Sequence, residues 1–168
     1  MRILETNRLV IKQATVDDTN FFYRLLNSAN WLKHIGDRGI RSEEDAQSYI
    51  EDNFIDSYRE HGYGLFKMML KSSNVPIGVC GFVKRDYLES ADIGFAILPE
   101  CEGQGYTLEA AKALMHYGRT VLKLRPILAI TTDTNSRSRA LLTKIGLRET
   151  GTVKPNNSET EFLLYSDQ

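Results

Sequence analysis

From Ala91 to Ile97 the chain alternates: Ile93, Phe95 and Ile97 share one face, and Asp92, Gly94 and Ala96 share the other. Period-two alternation predicts a strand. Ten residues further on the period changes, with Leu108, Ala111, Leu114 or Met115, Gly118 and Val121 or Leu122 recurring at helical spacing, Thr107 near the start and Pro126 beyond the end. A strand therefore feeds a helix through Pro99–Ala110, a stretch that carries Gly103 and Gly105.

The same reading extends along the chain. Thr15-x-x-Asp18 has the form of a capping box, opening a helix with Phe22, Leu25 and Leu26 on its apolar face. Ser42-x-x-Asp45 opens a second, with Ala46, Tyr49, Ile50, Phe54 and Tyr58 at helical intervals and Gly62 and Gly64 ending it. Strands are predicted at Tyr63 to Lys71 and Pro76 to Lys84, with the turn Lys71-Ser72-Ser73-Asn74 between them, and Arg85 to Ser90 leads to the Asp92 strand. Ile127 to Thr132 is a β-branched strand, Asn135 to Lys144 a helix with Gly146 just past its end, and Leu147 to Val153 with Thr160 to Tyr165 a closing hairpin. No linker, repeat or low-complexity segment interrupts this, so residues 1–168 are read as one domain.

The loop between the Asp92 strand and its helix has two readings, a plain tight connection or an anion site. The first turn of a helix leaves backbone N–H groups without partners and carries partial positive charge, and glycines let a ligand approach the backbone. The spacing excludes two phosphate-binding patterns. Neither Lys nor Ser/Thr follows Gly105 where a nucleoside triphosphate loop requires them, and Leu108 stands where the dinucleotide fingerprint needs its third small residue.

Glu102-Gly103-Gln104-Gly105-Tyr106-Thr107-Leu108-Glu109-Ala110 resembles the coenzyme A loop, Arg/Gln-x-x-Gly-x-Gly/Ala, of the GCN5-related N-acetyltransferases (GNAT), with Glu102 in place of the Arg/Gln and Thr107 in place of the final small residue. Other motifs occur in the family's order. Glu5-Thr6-Asn7-Arg8-Leu9-Val10-Ile11 looks like the Thr-x-Arg-Leu opening strand of the ribosomal-protein N-terminal acetyltransferase (RimJ/RimL-type) branch. Ile77-Gly78-Val79-Cys80-Gly81 looks like its Ile-Gly-x-x-Gly strand, and Ala91 to Phe95 like its Ala-Glu-Ile-Gly-Tyr strand. Asn135-x-x-Ser138 to Gly146-Leu147 looks like its Asn-x-x-Ser helix. The resemblance implies a mixed α/β fold: a mostly antiparallel twisted sheet of about seven strands, a cofactor slot splayed between the fourth and fifth, and about four helices.

Composition agrees without having identified the family. The 168 residues are 42% hydrophobic and 26% charged, enough for a single core, and the formal net charge of -1 lacks the footprint of a nucleic-acid binder. No apolar segment reaches the roughly 18 residues of a membrane span, and the first residues lack a signal-peptide pattern, so a cytoplasmic protein without membrane partners is expected. Cys80 and Cys101 form no CxxC pair, and His34, His61 and His116 have no metal-ligand spacing; no metal is expected. Cys80 reads as a core residue, while Cys101 beside the glycines is a minor candidate for a nucleophile.

The implied reaction moves an acetyl group from acetyl-CoA to a primary amine by direct transfer in a ternary complex. It requires a neutral amine, a polarised carbonyl and a proton for the departing thiolate. An α-amine of pKa about 8 costs roughly 1.4 kcal/mol to deprotonate at pH 7, a lysine-like amine nearer 4.6 kcal/mol. By the resemblance, Phe95, Ala96 and Ile97 contact the cofactor through the main chain, Gly103, Gln104, Gly105, Tyr106 and Thr107 hold its pyrophosphate, and Asn135 holds the pantetheine arm. Ser138 is the implied acid, since the tyrosine many relatives use four residues later is Leu142 here. Asp92 stands where relatives carry a glutamate base, with a solvated strand carboxylate as the other reading; a helix cap is the other reading of Asn135, and helix surface that of Ser138. Glu109, in the first turn of the helix, is read as a dipole-favourable or structural residue. The acidic set Glu43, Glu44, Asp45, Glu51, Asp52, Asp56 and Glu60 either attracts a cationic acceptor, a protein N-terminus or small amine, or is a solvated face; Trp31 and His34 are candidates for the acceptor wall. Glu102 and Leu142 keep a second function open, a coenzyme A-binding module without turnover. A monomer or homodimer is expected, with the closing hairpin as a pairing edge.

Overall fold

The computed structural model describes residues 1–168. Its strands are β1 (Arg2–Glu5), β2 (Leu9–Lys12), β3 (Leu65–Leu70), β4 (Pro76–Val83), β5 (Asp92–Ile97), β6 (Leu128–Thr131), β7 (Arg148–Val153) and β8 (Phe162–Ser166). Its helices are α1 (Thr19–Leu26), α2 (Ala29–His34), α3 (Glu43–Ile50), α4 (Asp56–His61), α5 (Tyr106–Thr120) and α6 (Ser136–Lys144). The strands form one open sheet in the order β1-β2-β3-β4-β5-β6-β8-β7. Every neighbouring pair is antiparallel except β5 and β6.

The sheet has eight strands rather than seven because the opening run Glu5–Ile11 is not one strand. Glu5 closes β1, the Thr6 N–H donates to the Leu9 carbonyl at 2.9 Å, and β2 folds back on β1. The helices also outnumber expectation. α2 is only six residues long with Trp31 as its one buried side chain, too little periodicity to read from sequence. α3 and α4 are joined by a π-helical stretch, Glu51–Ile55, into one rod, so the six segments make five rods. Ala46, Ile50, Phe54 and Tyr58 recur every four residues and are all buried. A strict four-residue spacing drifts around a 3.6-residue helix, and one wide turn brings the stripe back to the core.

That stripe packs against α1 and the sheet: the Phe22 and Phe54 rings lie 4.9 Å apart, and Tyr58 stacks on Phe66 of β3 at 5.5 Å. α5 crosses β4 and β5. The two glycines of the Ile-Gly-x-x-Gly run serve close strand packing, since a Cβ on Gly78 would lie 2.4 Å from the Ala96 carbonyl oxygen and one on Gly81 2.1 Å from the Gly64 carbonyl oxygen. The closing hairpin enters the sheet with β8 between β6 and β7, which leaves β7 as an exposed edge.

Both capping signals are used locally. Thr15 and Asp18 make the reciprocal capping box, on a short 3-10 turn that leads into α1. Ser42 caps α3 by accepting from the Asp45 N–H at 3.0 Å, while the Asp45 carboxylate accepts from the Arg41 N–H instead of closing a box.

Candidate active site

The parallel pair β5 and β6 is joined at one register position, Asp92 opposite Leu128, and the strands then part. Because Leu98 donates to the Ile77 carbonyl on the β4 side at 2.8 Å, alternation turns the backbone groups of Gly94 and Ala96 toward β4. Those of Phe95 and Ile97 face the opening, where no strand meets them. Of the three residues expected to contact a cofactor through the main chain, Phe95 and Ile97 have backbone groups in the slot, whereas Ala96 lines it with its own backbone committed to the sheet. The slot continues into a cleft of about 1290 Å³.

At one end of this cleft lies the glycine loop. Gly103 and Gly105 have φ of 76° and 80°, the left-handed region that glycine occupies without strain, and Gly105 is the N-cap of α5. Thr107, inside the first turn, makes no side-chain cap. The first backbone N–H of the region with a backbone acceptor is that of Glu109, which donates to Gly105 at 3.1 Å. The six preceding N–H groups, Gly103 to Leu108, have none. Six successive free donors at a helix N-terminus make a cradle for an anion. Gly103, Gly105, Tyr106 and Thr107 line the cleft; Gln104 does not, and its carbonyl turns away to accept from Arg8 Nη1 at 2.9 Å.

The loop is braced from behind. Arg8 Nε donates to Glu109 Oε1 at 2.9 Å, the Arg8 backbone N–H and the Thr6 hydroxyl donate to Glu109 Oε2 at 2.9 and 2.5 Å, and the Arg8 guanidinium lies 4.4 Å from the centre of the Tyr106 ring. Burial acts to raise the Glu109 carboxyl, but these hydrogen bonds outweigh it and hold its pKa below the ordinary value. Glu109 is structural, as its place in the sequence implies, and the Thr-x-Arg-Leu run supplies its partners. In front, Glu102 accepts from Asn30 of α2 and from Arg137 of α6, so the carboxylate that breaks the family's loop pattern is neutralised. Arg8 and Arg137 were not legible as loop partners because each meets the loop only in three dimensions.

On the other wall, Asn135 is the N-cap of α6, its Oδ1 accepting from the Ser138 N–H at 3.2 Å. The cap reading is thus realised, and the carboxamide N–H₂ remains available to a ligand. Asn135 and Ser138 both line the cleft, half-buried, and the Ser138 hydroxyl has no partner in the fold. Leu142, where a tyrosine is absent, is buried.

Asp92 is not a solvated carboxylate. It is 1% exposed, and Arg85 Nε donates to its Oδ1 at 2.8 Å. Burial raises its pKa, and the Arg85 charge and hydrogen bond only partly reverse this. Both residues line the cleft beside β5.

The remaining wall comes from α2, the segment after it, and the α3–α4 rod. Trp31 and His34 line it as expected, with Lys33 and Arg38 beside them. The rod contributes Tyr49, Asn53, Phe54 and Ser57, and none of Glu43, Glu44, Asp45, Glu51, Asp52, Asp56 or Glu60. The acidic set is therefore a solvated face, because the buried stripe of the rod turns the carboxylates outward. Cys101 lines the cleft, but burial and the neighbouring Glu100 raise its thiol pKa, the reverse of what a nucleophile needs. No cluster of three or more His, Cys, Asp or Glu is arranged to hold a metal, and no helix is long and apolar enough to cross a membrane.

Comparison with known proteins agrees with this geometry. Residues 8–148 match the family model of the acetyltransferase (GNAT) domain. An uncharacterized N-acetyltransferase of Bacillus subtilis, YnaD, is 29% identical over 151 residues, 90% of this chain and 85% of that protein. The ribosomal-protein-serine acetyltransferase of Escherichia coli is 27% identical over 140 residues, 83% of this chain and 72% of that protein. The crystal structure of a GNAT-family acetyltransferase from Bacillus anthracis superposes with a TM-score of 0.80 at 26% identity, covering 99% of this chain and 97% of its own. A splayed parallel strand pair, a cradle of free N–H groups at a helix start, and a match that spans both place this chain in the GNAT family of N-acetyltransferases.

Proposed function

We propose that the protein transfers an acetyl group from acetyl-CoA to a primary amine, a protein N-terminus or a small molecule, by direct attack in a ternary complex within one domain spanning residues 1–168. The observation that carries this reading is the run of six unpartnered N–H groups, Gly103 to Leu108, at the end of the splayed slot. They bind the pyrophosphate, with Gly103, Gly105, Tyr106 and Thr107 in direct contact and Gln104 contributing its N–H alone. Phe95 and Ile97 donate from β5 to the thioester and pantetheine carbonyls, Ala96 lies against the arm, and the Asn135 carboxamide donates to it from the facing wall.

In the transfer step the neutral amine forms the new C–N bond, the carbonyl oxygen gains and then returns negative charge, and the C–S bond breaks. Ser138 Oγ donates its proton to the departing sulfur and regains one from water, while Asp92 later returns the proton it takes up to solvent. The proton lost from the amine passes through water to Asp92. Burial has made that carboxylate more basic, and Arg85 occupies only its Oδ1. An α-amine asks little of this base, by the roughly 1.4 kcal/mol needed to deprotonate it at pH 7.

The test is release of free thiol from acetyl-CoA against N-terminal peptides, polyamines, aminoglycosides and amino acids, with coenzyme A binding measured alongside. Turnover on at least one amine class is expected. Tight binding without turnover on any of them would mark a cofactor-binding module, and absence of binding would refute the assignment of the loop.

A further inference from the structure

A carboxylate set at the mouth of an anion cradle repels the anion it should admit. Glu102 stands in that place, immediately before the first free N–H of the loop, with its side chain 19% exposed. It is fixed from two sides, by the Asn30 side-chain amide of α2 and by Nη1 of Arg137 in the first turn of α6. Arg137 differs from its partner in exposure: its side chain is 69% accessible, and it lines the cleft together with Gly103, Gly105 and Thr107.

A guanidinium has five N–H donors in a planar fork, and Glu102 takes one nitrogen of it. The other donors are free to meet phosphate oxygens in the paired geometry that arginine favours. We propose that Arg137 is a phosphate-binding residue for the cofactor, held over the glycine loop by Glu102, so that the acidic residue is the positioning partner of a basic one supplied by another helix. This rests on the coenzyme A reading above. The bridge also joins the two walls of the slot, the loop before α5 and the start of α6, so phosphate and carboxylate share one cation across the opening.

Calorimetric titration separates this inference from the reading beneath it. The wild-type chain is titrated with coenzyme A, with dephospho-coenzyme A, which lacks the 3′-phosphate, and with pantetheine, which lacks all phosphates. Arg137→Ala is expected to weaken coenzyme A binding roughly ten- to a hundredfold, because it removes a charge-assisted contact and leaves Glu102 unneutralised. Glu102→Gln in the same chain should recover part of that loss. Arg137→Ala should leave the thermal midpoint near the wild-type value, since the side chain is exposed.

A loss that disappears with dephospho-coenzyme A assigns the 3′-phosphate as partner, and one that persists there but is absent with pantetheine assigns the pyrophosphate; either supports the proposal. An unchanged affinity of Arg137→Ala for coenzyme A, or an equal loss for pantetheine, overturns it while leaving the cofactor assignment standing. Failure of the wild-type chain to bind coenzyme A overturns both.

Discussion

Arg8 Nε meets Glu109 Oε1 at 2.9 Å across 101 residues of chain, and Nη1 of the same guanidinium holds the Gln104 carbonyl at 2.9 Å. One side chain from the opening hairpin thus ties together the first turn of α5 and the loop that precedes it. It fixes the Gln104 carbonyl next to the N–H groups of Gly103 to Leu108, none of which has a backbone acceptor.

Replacing Arg8 by Ala should therefore raise the KM for acetyl-CoA severalfold with little change in kcat, because the loop loses its brace and not a reacting group. Steady-state kinetics with acetyl-CoA as the varied substrate checks this. A proportionate fall in kcat with unchanged KM would place Arg8 elsewhere in the reaction.

Glu109 gives the pairing a pH dependence of known sign. Its folded pKa lies below the ordinary value of 4.5, so its stabilisation is complete above that pH and is lost as pH falls through the lower, folded value. Glu109→Gln should be less stable than the wild type by about 1 kcal/mol at neutral pH, less than a buried charged hydrogen bond contributes because Arg8 is partly solvated. Urea unfolding at a series of pH values should show the two proteins converging in acid.

Ser138→Ala should lower kcat by roughly tenfold or more while changing coenzyme A affinity little, since its hydroxyl supports no other part of the fold and its proposed part is the acid step. Turnover and calorimetric affinity measured on the same preparation decide it. An unchanged rate removes Ser138 from the mechanism.

Asp92→Asn distinguishes acceptors. A lysine-like amine needs about 3 kcal/mol more than an α-amine to be deprotonated at pH 7, so loss of the proposed base should depress kcat/KM more for side-chain amines than for N-termini. Equal losses on both would identify Asp92 as the positioning partner of Arg85 alone.

Gly81→Ala tests the strand glycines. A methyl group 2.1 Å from a backbone oxygen cannot be accommodated by a rotamer change, so β3 and β4 must separate. A loss of about 1–3 kcal/mol is expected from overpacking, read as a lower denaturation midpoint. A neutral effect would mean that the strands part freely at that point.

Much of the site could be read locally. The β5 alternation, the left-handed glycines and the Asn135 cap each depend on residues within a few positions of one another, and each appears in the structure near where the pattern places it. The two-strand opening escaped because Thr6–Arg8 carries no glycine or proline to mark a turn, and its reversal is stabilised by Glu109 instead. The role of the acidic rod was open for the same reason: helical spacing gives a face, but not what that face meets.

By itself the sequence determined most of the elements and the loop, since periodicity, glycine conformation and capping act over a single turn or strand, and its ordered motifs carried the family resemblance. Only the tertiary structure decided that Asp92 is sealed against Arg85, that Gln104 turns away, and that Glu102 is answered by Arg137. Those outcomes depend on burial and on charges brought together from distant positions, and the energy of a carboxylate is set by which cation lies within hydrogen-bonding reach and how much water is excluded.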